Sequence, residues 1–202
     1  MTAPTVLFIG DSITDSGRHD DPDGLGDGYV RRVAEAIGPK ARWLNRGITS
    51  NSTRDLLARW DTDVLAERPA LVSVLVGIND TWRRYHRADP MAAEEFDANY
   101  RALLDPLAAN GTRLVLVEPF LLPVDAEQRS WRSDLDPKIE VVRALAHDYG
   151  AVLVPADTAL NAAGDAATVA PDGFHPSEHG TALLAALWLQ HAGPAVTALQ
   201  RP

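Results

Sequence analysis

Ser12 stands in Gly10-Asp11-Ser12-Ile13-Thr14, directly after the apolar run Val6-Leu7-Phe8-Ile9. A serine at a strand-to-helix turn exposes its hydroxyl above a sheet, close to helix-terminal amides. Alone it is a poor nucleophile near neutral pH and needs a base. Serine is also a common N-cap at such turns, so the position by itself fits either role. Asp172-Gly173-Phe174-His175-Pro176 offers a base and an orienter for it. A carboxylate three residues before a histidine, in a loop broken by Gly and Pro, can reach back to the ring Nδ1–H. That fixes the tautomer, leaves Nε2 free to take a serine proton and stabilises the imidazolium once formed. Without Ser12 the same residues fit a histidine beside a capped helix start.

Developing negative charge would need donors. Gly77-Ile78-Asn79-Asp80 ends an apolar run, and the Asn79 amide there is one candidate oxyanion donor. Gly47, in Asn45-Arg46-Gly47-Ile48, offers a backbone N–H as a second, and the Ser12 N–H is a third. Turn glycines and Asx turns account for such residues equally well when each is taken singly. Asp11, Trp82 and Arg83 are the candidates for lining a substrate pocket, with Tyr85 and Trp131 nearby as aromatic possibilities. For Asp11 and Asp80 the preferred role is structural, accepting backbone N–H groups around Ser12 and Asn79. His175 and His179 are four apart, a spacing that chelates metal on a helix. Pro176 argues against helix at 175 and no third ligand stands out, so no metal is expected, and no cofactor.

These residues need a frame that brings them together. Five short apolar runs, Thr5–Ile9, Arg42–Asn45, Leu71–Val76, Arg113–Val117 and Ala151–Val154, read as strands buried on both faces. Between them lie helical stripes: Tyr29, Val30, Val33, Ile37; then Leu56, Leu57, Trp60, Val64; then Phe96, Tyr100, Leu103, Leu107; then Leu135, Ile139, Val142, Leu145. A last helix starts near Ser177 and buries Leu183, Leu184, Leu187 and Trp188. The alternation predicts a three-layer α/β/α sandwich on a parallel sheet of about five strands, flavodoxin-like, in one domain over 1–202. Ligands of such sheets bind beyond the carboxyl ends of the strands, which is where the polar clusters fall. Asp15–Gly28 and Phe120–Ser133 read as loops long enough to be functional or disordered.

Composition narrows the classes. Hydrophobic residues make up 46% and charged ones 23%, which excludes a disordered chain. The net charge of -9, with no Lys/Arg run, excludes nucleic acid and disfavours anionic lipid. Zero cysteine removes thiol nucleophiles, disulfides and zinc–thiolate sites. The opening residues lack a signal-peptide pattern, and no apolar segment approaches the roughly 18–20 residues of a membrane span. A cytoplasmic protein is therefore expected. Neither the Gly-x-Ser-x-Gly elbow nor a phosphate-binding glycine loop is present. Asp20, Asp21, Asp23 and Asp27 lack calcium-loop spacing and read as a solvated rim.

Gly10-Asp11-Ser12, Gly47, Gly77-Ile78-Asn79-Asp80 and Asp172-Gly173-Phe174-His175, in that order, resemble the sequence blocks of the SGNH (GDSL) hydrolase family, over residues 6 to about 185. The resemblance implies Ser12 as nucleophile, Asp172 and His175 as its partners, and Gly47 and Asn79 as oxyanion donors. Within that family, Phe8–Asp15, Arg54–Trp60 and Gly77–Arg83 look like carbohydrate acetyl esterases, including intracellular acetylxylan esterases. It implies a serine esterase acting on short-chain, chiefly acetyl, esters of carbohydrate. Two alternatives stay open: a broad short-chain carboxylesterase or thioesterase, and a non-catalytic sugar-binding relative. The implied partner is a small ester such as an acetylated sugar. Self-association through Trp82, Trp131 or the C-terminal segment is a further expectation.

Overall fold

The computed structural model describes residues 3–199. Residues 1–2 and 200–202, which the single-domain expectation includes, lie outside the described residues. Five strands, β1 (Thr5–Gly10), β2 (Arg42–Asn45), β3 (Leu71–Leu75), β4 (Arg113–Val117) and β5 (Val152–Val154), pair in parallel in the order β2-β1-β3-β4-β5. Each expected strand falls within a residue of its observed bounds at either end. The chain lays β2 on one side of β1 and then crosses to place β3 on the other. The switch point of the sheet therefore lies at β1 and β3, where Gly10 faces Leu75 across the ladder. Crevices for ligands form above such points.

Nine helices flank the sheet among the described residues. They are α1 (Ser12–Asp15), α2 (Tyr29–Ile37), α3 (Thr53–Asp63), α4 (Ile78–Arg87), α5 (Ala93–Ala109), α6 (Ala126–Asp148), α7 (Ala156–Ala162), α8 (Ala166–Val169) and α9 (Glu178–Ala198). Alternation along β1 decides which layer meets which face. Val6 and Phe8 pack with Tyr29, Val33 and Trp188 of α2 and α9, while Leu7 and Ile9 pack with Leu56, Trp60 and Tyr100 of α3 and α5. All but Tyr29 and Trp60 of these are fully buried. Each such aliphatic or Phe side chain contributes roughly 1.5–3 kcal/mol, so a one-residue slip of β1 would be strongly disfavoured. Ser73 faces the α9 side of β3, and its hydroxyl accepts the Trp188 indole N–H at 2.9 Å.

One expectation fails here. Phe120–Ser133 is not a single loop, because α6 already begins at Ala126. Asp125 caps it by accepting the Gln128 N–H at 2.8 Å, and Pro137 is accommodated inside the helix. Trp131 is thereby carried into the core at 2% exposure, stacked 5.4 Å from Tyr85. It is closed to any interface. Asp15–Gly28 does remain largely turns, held by Asp21, whose Oδ2 accepts the N–H groups of Leu25 (2.7 Å) and Gly26 (3.0 Å). None of the described helices is long and apolar enough to cross a membrane.

Candidate active site

At the end of β1 the backbone is packed too tightly to admit a side chain on Gly10. A Cβ on Gly10 would lie 2.0 Å from the Leu75 carbonyl oxygen and 2.7 Å from Thr14 Oγ1. Asp11 caps α1, its Oδ1 accepting the Ile13 N–H at 3.0 Å, which turns the chain and lifts Ser12 to the upper edge of the sheet. Asn45, at the end of β2, fastens the same turn from the side by donating to the carbonyls of Thr14 (2.6 Å) and Leu25 (2.8 Å). Asp11 is 1% exposed and its Oδ2 has no hydrogen-bond partner among the described residues. Burial, with the Asp80 charge adding to it against the Ile13 N–H, pushes this carboxyl up to about 7. Asp11 is thus enclosed under the site, away from any substrate surface.

The second half arrives with the loop between α8 and α9. Its Gly173 has φ +98°, a left-handed conformation that favours glycine, and a Cβ there would meet Gln128 Oε1. Asp172 Oδ1 accepts the N–H groups of His175 (2.8 Å) and Phe174 (3.1 Å), and its Oδ2 lies 2.6 Å from His175 Nδ1. His175 Nε2 lies 2.8 Å from Ser12 Oγ. Burial alone would raise the Asp172 carboxyl. The His175 N–H, the imidazole and the Phe174 N–H outweigh it and hold the group below the usual carboxylate range. A third segment clamps this loop: Gln128 Nε2 donates to the Asp172 carbonyl at 2.7 Å, and the Leu122 N–H donates to the Gly173 carbonyl at 2.7 Å. Gln128 Oε1 in turn accepts the Val124 N–H at 3.0 Å. Nothing local in the sequence marks Gln128, because it lies in the stretch read as loop.

Asn79 is the second residue of α4, directly above β3 and so beside β1. Its Nδ2 donates to the Asn51 carbonyl at 3.1 Å, which engages one amide hydrogen and leaves the other. Asp80 turns inward instead, its Oδ1 accepting from Thr53 N (3.0 Å) and Thr53 Oγ1 (2.6 Å). Burial raises this carboxyl as well, against the opposing pull of Thr53 and the Lys138 charge.

Gly47 is placed differently from its expected role. Its N–H donates to Asn45 Oδ1 at 2.9 Å, and its carbonyl accepts Arg18 Nε at 2.5 Å. A Cβ there would lie 2.2 Å from the Asp15 N, so this glycine serves close approach of β2's extension to α1. In the turn closed by Asn51 N–H on the Ile48 carbonyl at 3.2 Å, the Ser50 N–H has no hydrogen-bond partner among the described residues. Ser50 has φ +67°. The turn is moored to both sides of the site. Asp15 of α1 accepts from Thr49 N (3.1 Å) and Oγ1 (2.9 Å), while Asn79 of α4 holds Asn51.

Arg83 is a strut in the same place. Its guanidinium donates to the Ser50 carbonyl (2.8 Å), Ser52 Oγ (3.0 Å) and Asp55 Oδ2 (2.6 Å). Those contacts leave it little capacity for substrate. Trp82 is half-buried against the core, stacked on His86 at 4.7 Å with the Arg87 guanidinium 5.4 Å from its ring. The aromatic ring beside the imidazole is Phe174, 4.6 Å from His175 and backed by Trp131 at 6.5 Å. No group of three or more His, Cys, Asp or Glu side chains placed to hold a metal occurs among the described residues.

A hydroxyl, an imidazole and a carboxylate in file above a parallel sheet, with N–H donors beside them, can carry out acyl transfer. Residues 8–183 match the GDSL-like Lipase/Acylhydrolase family, and the chain belongs to that family of ester hydrolases. It is 35% identical to an acetylxylan esterase of Geobacillus stearothermophilus over 206 residues, covering 93% of each chain. A crystal structure described as a GDSL-like lipase from Parabacteroides merdae superposes with a TM-score of 0.89 at 31% identity, over 95% of this chain and 96% of that one. A single-site variant of an acetyl xylan esterase from Geobacillus stearothermophilus gives 0.84 at 34% identity, over 94% of each.

Proposed function

We propose that the protein removes acetyl groups from carbohydrate esters through an acyl-enzyme on Ser12. The observation that carries this reading is the relay in which Ser12 Oγ is 2.8 Å from His175 Nε2 and His175 Nδ1 is 2.6 Å from Asp172 Oδ2. His175 takes the Ser12 proton as Oγ bonds to the ester carbonyl carbon. The tetrahedral intermediate collapses as the carbon–oxygen bond to the sugar breaks, and His175 gives its proton to that oxygen. Water then attacks the acyl-enzyme, His175 again moving the proton, and acetate and free Ser12 result. Asp172 holds the ring with Nδ1–H inward and stabilises its cationic form.

The oxyanion is met by the Ser12 N–H, the second hydrogen of the Asn79 amide and the Ser50 N–H. Ser50 takes the place expected for Gly47, because the Gly47 N–H is engaged by Asn45. Acetyl as the acyl group, and sugar as the alcohol, are supported by the likeness to the acetylxylan esterase over nearly the whole chain. Release of acetate from acetylated xylo-oligosaccharides tests the reading. The native protein should release it, and Ser12→Ala should lower kcat by about 10⁴-fold or more. Undiminished release by Ser12→Ala would overturn the mechanism.

A further inference from the structure

A cavity of about 440 Å³ opens next to the triad, where the end of α1, the start of α2 and the first turn of α9 converge. Ser16, Asp27, Arg32, Pro176, Glu178 and Thr181 line it. Its closeness to the chemistry follows from the chain. The Ser16 N–H donates to the Ser12 carbonyl at 3.0 Å, and Pro176 directly follows His175. Its side relative to the reacting centre also matters. The turn at Ser50 and the Asn79 amide flank Ser12 from β2 and β3, whereas this cavity lies on the His175 side.

In the mechanism above, the leaving oxygen must sit by His175 Nε2 to receive its proton. The group attached to that oxygen, the alcohol, therefore projects from the ester on the His175 side. The lining sets what kind of alcohol fits. Of the six residues only Pro176 is apolar, and the others present two carboxylates, two hydroxyls and one guanidinium. Arg32 Nε is buried without a hydrogen-bond partner among the described residues, and its Nη2 is 3.6 Å from Glu178 Oε1. Asp27 Oδ1 already accepts the Ser16 hydroxyl at 2.8 Å, leaving its second oxygen. A fatty chain would cover these groups and leave them unsatisfied, which is costly. An anionic ligand would face two carboxylates against one guanidinium. A neutral polyhydroxy ligand donates to the carboxylates, accepts from Arg32 and rests its C–H face on Pro176.

From this arrangement we propose that the cavity is the subsite for neutral sugar residues on the alcohol side of the scissile ester, with Arg32 as its central donor. The proposal rests on the acyl-enzyme reading and deepens it.

Two esters separate the two ideas. p-Nitrophenyl acetate needs the triad and the oxyanion donors but offers nothing to a sugar subsite. An acetylated xylo-oligosaccharide needs both. Arg32→Gln should lower the ratio of kcat/KM for the oligosaccharide over that for the aryl ester about tenfold, chiefly through KM, as loss of a hydrogen bond to a charged group does. Glu178→Gln, at a solvent-exposed position, should lower the same ratio by about threefold and guards against a folding defect in the Arg32 variant. Calorimetry of unacetylated xylo-oligosaccharide binding to Ser12→Ala, with and without Arg32→Gln, reads the subsite apart from catalysis and should show about tenfold weaker binding in the double variant. Unchanged ratios in both folded variants, an equal fall for both esters, or equal binding by the two Ser12→Ala proteins would overturn the subsite. A native protein that hydrolyses neither ester but binds the oligosaccharide through Arg32 would overturn the acyl-enzyme reading alone.

Discussion

The two halves of the proposed triad are built in opposite ways. Ser12 rides on a turn whose neighbours, Asp11, Ile13 and Thr14, are buried and whose glycine has no room for a methyl group. His175 and Asp172 sit on an exposed loop, with side chains about half accessible. The nucleophile takes its place from the sheet, through β1 and its two neighbours. The base takes its place from hydrogen bonds: those Asp172 accepts within the loop, and those Gln128 and Leu122 supply from outside. Close packing on the sheet holds the first, with the Asp11 cap and Asn45 as buried ties. A few directional bonds hold the second, and losing one shifts the ring.

The largest test of this contrast removes a donor from the packed side. Asn79→Ala should cut kcat by about 10²–10³-fold, the usual effect of deleting one oxyanion donor, while stability falls by only about 1 kcal/mol with the Asn51 bond. A variant with unaltered turnover would show that Ser12 and Ser50 suffice, and would detach Asn79 from the chemistry. The clamp on the loop should matter less to rate and more to order. Gln128→Ala removes the bonds to the Asp172 carbonyl and the Val124 N–H, and should lower kcat about tenfold and stability by ~1–3 kcal/mol. If turnover matches the native protein, the loop's own bonds fix the imidazole and the contrast weakens.

The smallest effect concerns pH beneath the nucleophile. The Asp11 carboxyl, at about 7 in the fold, keeps a proton that the unfolded chain releases at lower pH. Its contribution to stability is therefore full in acid and declines as pH rises toward 7. Asp11→Asn keeps an oxygen for the Ile13 N–H and cannot ionise. Its thermal midpoint should gain on that of the native protein between about pH 4 and pH 7. Parallel curves for the two proteins would mean that Asp11 is ionised throughout.

Much of this was legible because it is local. The strands announce themselves as unbroken apolar runs, and Asp172 with His175 is a three-residue reach inside one loop. Ser177 is a helix cap in sequence and in structure, its Oγ accepting the Gly180 N–H at 3.1 Å. What escaped is non-local or hidden by residue type. The first two turns of α6 are mostly polar, and Pro137 interrupts the stripe that would have carried the helix back to Trp131. With those turns read as loop, Gln128 had no visible connection to a histidine 47 residues later. Gly47 drew attention because glycine suggests an open backbone. The freer N–H belongs to Ser50, a residue type that gives no sign of a left-handed turn. Arg83 follows the Gly77–Asp80 block and so reads as a pocket wall, whereas Asp55 and Ser52 reach it only through the fold.

Ser12 and His175 are separated by 163 positions, and the helix that starts beside His175 is tied to the central sheet by Trp188 on Ser73. The first strand and the last helix must therefore both be in place before any hydroxyl is activated. In the proposed mechanism the Ser12 hydroxyl meets its base only once α9 has docked, a contact that closes a long loop in the fold. The proposed activity is thus a report on the docking of α9, and Trp188→Ala, which removes that tie, would hold the serine without a settled base.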